Sequence, residues 1–229
     1  MSNLKLNNME TRNVTITLEK AIELFHSEDE SLEEIALQAF TEDELMYPFK
    51  SITTFKMACE ALGLNYADMA CLPKVIAKTS RASAAMFKLN IIRKALNLGQ
   101  DLHLIENPEN PEYSFIYYPL NPFITKSSHY YDEEICLDEI EVIGKFKSEG
   151  TEYVVLGNAF DNGSFSGLGR FDSCNGVGTA CANLGFLGCA SKEIASHLGK
   201  YFGMLITEAK YGDMVDFEIV EDKYHNCQD

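Results

Sequence analysis

Two Asn-Gly pairs, Asn162–Gly163 and Asn175–Gly176, constrain this chain more tightly than any other feature. A type I′ turn needs positive φ at both central residues, and Asn-Gly adopts it readily. Each pair therefore marks a sharp reversal between antiparallel strands. They lie in or beside the stretch Gly163–Cys189, which carries three of the seven cysteines of the chain. Upstream, Ile140–Lys147 and Tyr153–Phe160 read as strands joined by the turn Ser148-Glu149-Gly150, with glycine where positive φ is wanted. The pattern predicts a four-stranded antiparallel β-meander with strands near 139–147, 152–160, 164–174 and 177–187. If residues 175–176 are the whole loop, side-chain alternation puts Arg170, Asp172, Thr179, Cys181 and Asn183 on one face. The other face carries mostly Gly and Ala, a surface another backbone can approach closely. A slip of one residue would exchange the two faces.

The rest of the chain is read from apolar spacing. Leu18, Ala21, Ile22 and Phe25 recur at helical intervals. Ser31 with Glu34, and Thr41 with Glu44, fit the capping box and predict helices near 32–40 and 42–46, the second stopped by Pro48. Phe55, Ala58, Cys59 and Leu62 form a further helical face that Gly63 is placed to end. Pro73, a favoured first-turn residue, is expected to open the longest helix, running to about Asn97. Ser191 is the expected N-cap of a helix over 192–209, and Met214–Val220 is a final strand. The expected fold class is α+β: an N-terminal helical bundle, then an antiparallel β-meander with a C-terminal helix packed on it. The expected organisation is a flexible N-terminus (1–16), a helical subdomain (17–99) and a Pro- and aromatic-rich connector (100–138). A sheet with its helix (139–222) and a polar tail (223–229) follow.

Composition then narrows the function classes. A hydrophobic fraction of 46% and a charged fraction of 24% fit a soluble globular protein. No apolar run is long enough for a membrane span, and the opening residues lack the apolar core of a signal peptide. The expected location is a bacterial cytoplasm or a virion. The net charge of −16 argues against direct nucleic-acid binding, since phosphates would be repelled. Acidic clusters at 28–44 and 132–141 leave room for mimicry of nucleic acid.

No motif carries chemistry on its own. The chain has no GxxxxGK[S/T] phosphate loop, no complete dinucleotide fingerprint and no G-x-S-x-G elbow, and no cofactor is implied. Cys174, Cys181, Cys189 and His197 are weak candidates for a metal site, because their spacing lacks the tight C-x₂₋₄-C knuckle. Cysteine catalysis would use Cys181 or Cys189 with His197, Cys189 lying just before a helix N-terminus. Arg170, Asp172, Thr179 and Asn183 are the candidate binding residues, though a cross-strand ion pair explains them as well.

The segments TLEKAIELF, SLEEIALQAFTEDEL, FKSITTFKMACEALGL, IIRKALN, IGKFKSEG with YVVLG, and LGFLGCASKEIASHLGKYF resemble uncharacterised proteins carried by phages and prophages of gut Bacteroidota. The likeness runs from about Thr15 to Asp213. Its motifs are caps, turns and a core helix, so it implies a phage-associated origin and no activity. The function expected from the whole is a non-enzymatic, phage-associated protein that binds a protein partner or itself, as a virion component or a host-directed accessory factor. The alternatives are the cysteine-dependent enzyme and the acidic nucleic-acid mimic.

Overall fold

The computed structural model describes residues 16–27, 29–99, 105–106, 114–119, 121, 123–125, 141–157, 168–172 and 187–227. The chain forms two compact units, 1–48 and 49–229. The boundary falls inside the stretch 17–99 that was expected to be one helical subdomain.

In the first unit, α1 (Leu18–Phe25), α2 (Glu30–Ala39) and α3 (Glu42–Met46) pack around buried Ala21, Ala36 and Leu45. Two of those three are alanines, which lets helices approach closely. Thr41 and Glu44 form the reciprocal capping box that their spacing predicts: Thr41 Oγ1 accepts from Glu44 N, and Thr41 N donates to Glu44 Oε2 at 2.8 Å. Ser31 does not cap. Asp29 takes that role, accepting from Ser31 N at 2.9 Å, and the helix begins two residues earlier than Ser31 alone indicates. A carboxylate at the N-cap also meets the positive end of the helix dipole.

In the second unit, a 3₁₀ turn (Pro48–Ser51) leads to α4 (Phe55–Ala61), capped by Thr54. The helix expected from Pro73 to Asn97 is two helices, α5 (Tyr66–Ile76) and α6 (Arg81–Leu96). Ser80 is the reason: its side chain accepts from Ser83 N at 2.9 Å, giving α6 its own cap. Pro73 sits inside α5 and Asn65 caps that helix. α6 buries Ala85, Leu89, Ile92 and Leu96, which recur at helical spacing along one face. It lies along α7 (Lys192–Tyr211), which starts at Ser191 as expected.

The strands are β1 (Ile105–Glu106), β2 (Ser114–Pro119), β3 (Phe123–Thr125), β4 (Val142–Ser148), β5 (Thr151–Leu156), β6 (Leu168–Asp172) and β7 (Glu218–Asp222). They make two antiparallel sheets, ordered β3-β5-β4-β7 and β1-β2-β6. The β4–β5 hairpin closes on the pair Ser148↔Thr151, with Glu149 at φ 50° and Gly150 at φ 74°, the two positive values a type I′ turn requires. β6 differs from its expected place. It pairs with β2, Phe171 opposite Ile116 and Arg170 opposite Tyr117, and so does not continue from β5. The connector 100–138 thus supplies three strands, β1 to β3. Both Asn-Gly turns and the strand expected after the second lie outside the described residues, as do Cys174, Thr179, Cys181 and Asn183.

The class is α+β, with the C-terminal helix packed on antiparallel strands. α7 covers β4 of one sheet and β2 and β6 of the other. The sheet-side core is aromatic: Phe146 stacks on Tyr153 at 4.8 Å and on Tyr211 at 5.9 Å, and meets Phe123 edge-on at 5.5 Å. Gly203 of α7 has Ile143 and Asn121 directly against it, with no room for a Cβ. Asn121 fixes this crossing, its Nδ2 donating to Leu156 O at 3.1 Å and to Gly199 O at 2.9 Å. No helix among the described residues is long and apolar enough to cross a membrane.

Candidate functional site

The two described candidates for catalysis are both interior. Cys189 is fully buried, and its Sγ donates to Leu187 O at 3.4 Å. Burial raises the thiol to about 12, with Arg93 opposing only in part. Such a group is a neutral thiol at physiological pH and offers no nucleophile. His197, on α7, donates from Nε2 to Ile52 O at 2.7 Å and packs against Phe49 and Tyr201. Burial lowers its pKa first, the Ile52 carbonyl opposes, and Lys200 and Lys50 lower it further. Its ring is a core imidazole with one nitrogen committed to backbone. Among the described residues no group of three His, Cys, Asp or Glu could hold a metal ion. Arg170 and Asp172 fall at register positions opposite Tyr117 and Phe115 on β6.

Two clusters of charge are built from residues outside the candidate sites read from the sequence, although Glu141 ends the second acidic run. Glu141 accepts from Lys223 Nζ and from Tyr224 Oη at 2.5 Å each, and Lys200 Nζ lies 3.3 Å away. Burial pushes this carboxyl up, but Lys223, Tyr224 and Lys200 outweigh it and hold it below its ordinary value. Tyr224 is raised in return, first by burial and then by Glu141. The cluster pins α7 and the last turn of the chain to the start of β4.

The second cluster surrounds a cavity of about 210 Å³ lined by Lys74, Arg81, Lys88, Glu208 and Cys227 among others. Arg81 donates from Nε and Nη2 to one Glu208 oxygen at 3.0 and 2.8 Å, and from Nη1 to Phe217 O at 3.2 Å. Lys88 reaches Asn226 O at 3.4 Å. These donors hold α6, α7 and the C-terminal turn together, which accounts for them as structure.

A third feature is open to solvent. Leu62 and Leu64, at the end of α4 and the start of the α5 linker, face Asn90, Ile91, Arg93 and Lys94 of α6 across a cleft of about 490 Å³. That size falls within the ~300–1,000 Å³ of ligand-binding clefts. Leu64 is 36% exposed, and Leu98, two residues past α6, is 57% exposed. Gly99 comes beside Leu62, where an added Cβ would lie 3.8 Å from Cδ2, so Leu98 stands close to this wall. Sequence reasoning passed over these residues because apolar spacing assigns Leu62 and Ile91 to a core. A signal was present in the charge distribution. Residues 49–99 carry eight Lys and Arg against two acids, a net +6 within a chain of −16.

The described residues define an α+β protein with an apolar, basic-sided surface cleft and, among themselves, no assembled catalytic set. No protein-family model, curated protein or solved structure matches the chain.

Proposed function

We propose that this is a non-enzymatic protein that works by binding another protein, and that the face formed by α4, α5 and α6 does the binding. The observation that carries this reading is the cleft between Leu62–Leu64 and Asn90–Lys94, whose apolar side chains remain open to water. Apolar groups left exposed in a concave surface gain free energy when a partner covers them, at roughly 25 cal/mol per Å² removed from water. Buried Cys189 and His197 argue against the cysteine-dependent alternative. The phage setting, with a role as virion component or host-directed accessory factor, rests on the sequence resemblance.

A photo-activated cross-linker placed at position 64 tests the reading in the cells that make the protein. Covalent protein adducts at position 64, absent when the cross-linker replaces exposed Glu218 on β7, are the expected result. Equal adduct formation at both positions, or none at position 64, overturns it.

A further inference from the structure

We infer that the cleft takes an acidic amphipathic helix of the partner protein, an inference that rests on the proposed protein-binding role of this face. Three observations carry it. The first is charge. The two cations that line the cleft, Arg93 and Lys94, have no ion pair among the described residues, whereas Lys56 pairs with Glu60 and Arg81 with Glu208. Cations in the last turn of α6 do offset its dipole, which accounts for Arg93 and Lys94 being basic. It does not account for an apolar cleft beside them, or for the excess of positive charge over residues 49–99.

The second observation is Arg93 itself. Its Nε is shut off from solvent and has no hydrogen-bond acceptor among the described residues. A buried donor without an acceptor forfeits the hydrogen bond it made to water. The side chain also lines the cleft, so a carboxylate entering it would meet a guanidinium whose charge no described acid offsets. The third is Leu98, a non-glycine residue held at φ 55° with its side chain largely in water. That conformation is uncommon for leucine, and it leaves an apolar group in water next to Gly99, which lies against Leu62 of the cleft wall.

The walls of the cleft decide the form of the ligand. Among the described residues they are helices and a short linker, which offer no free strand edge for an extended peptide to join. A helix satisfies its own backbone and offers anchors at i, i+3, i+4 and i+7 to an apolar floor. Acids flanking those anchors then meet Arg93 and Lys94. Nucleic acid fits less well. Among the described residues the apolar lining is aliphatic, without an aromatic platform for bases, and the rest of the chain is strongly acidic.

The probe is a synthetic helical peptide of about four turns, with leucines at those anchor positions and glutamates on the flanks. A twin carries lysine for every glutamate, and duplex DNA is the third competitor. With the full chain, the glutamate peptide is expected to bind at least about tenfold tighter than its twin, and to weaken as salt rises. Arg93→Glu with Lys94→Glu should lose about tenfold for the glutamate peptide and gain for the lysine peptide, a swap that misfolding cannot produce. Lys94→Glu alone, at an exposed position, should move both peptides in the same directions by less. Equal binding of the two peptides, no exchange of preference in the variants, or displacement by DNA overturns the inference. Cross-linking at position 64 in cells stands apart: if it succeeds while the peptides fail, protein binding survives and the acidic helix does not.

Discussion

His197 sits between Phe49 and Tyr201 with Nε2–H on the Ile52 carbonyl, and this placement sets its titration. Its folded pKa is lowered, chiefly by burial, with Lys200 and Lys50 adding to the effect. The unfolded chain takes up this proton near the ordinary value of 6.5. The stabilising contribution of neutral His197 is therefore complete above that pH and is lost as pH falls through the lowered folded value. The melting temperature should drop between about pH 7 and pH 5. His197→Gln keeps a donor for Ile52 but has nothing to titrate, so the pH dependence in that window should flatten. Thermal unfolding of both proteins across the window checks this, and an unchanged slope would mean another group is responsible. At this scale the sequence singled out His197 as a candidate for chemistry, and the structure adds the contacts that hold its ring. Its type and its place on a helix were legible, but the carbonyl that engages it lies 145 residues away.

Elements were most legible where the cue is local. The Thr41–Glu44 box, the Ser191 cap and the Glu149–Gly150 turn each need only a few neighbouring residues, and each formed as read. Ser31 failed because Asp29, two residues earlier, caps the same turn with a charge. Pro73 failed because proline is tolerated inside α5 while Ser80 supplies the start of α6. β6 failed because strand order depends on pairing over long distances: its partner β2 is some fifty residues upstream, and no turn signal encodes that choice. Close approach among the small residues of the Gly-rich stretch lies outside the described side chains, and the described glycines show it elsewhere. One such place is where Gly203 of α7 meets Ile143 and Asn121. Gly203→Ala should therefore cost about 1–3 kcal/mol through displacement of Ile143 and Asn121, although alanine is the better helix former. Urea unfolding measures this, and a stability equal to or above that of the native sequence would show that the crossing can relax.

Over the whole molecule, the unit that carries the cleft is distinct from the one that carries the first acidic cluster. Residues 1–48 pack around Ala21, Ala36 and Leu45, whereas the sheet-side core of the second unit is built on Ile143, Phe146, Val155, Met204 and Phe217. No residue belongs to both cores. Units with separate cores can open separately, since the free energy of each opening is set by its own buried contacts. Leu45 is fully buried, and truncation to alanine leaves a cavity costing about 2–5 kcal/mol. Leu45→Ala should accelerate amide hydrogen exchange throughout α1, α2 and α3 while leaving α7 and β4 at their original rates. Peptide-level exchange followed by mass spectrometry resolves the two sets. Faster exchange in α7 and β4 by the same factor would show that the chain unfolds as one cooperative body. With the exchange confined to the first unit, α4 and α5 keep their packing on α6, and α6 on α7, and the cleft between Leu64 and Lys94 should bind the glutamate peptide with unchanged affinity.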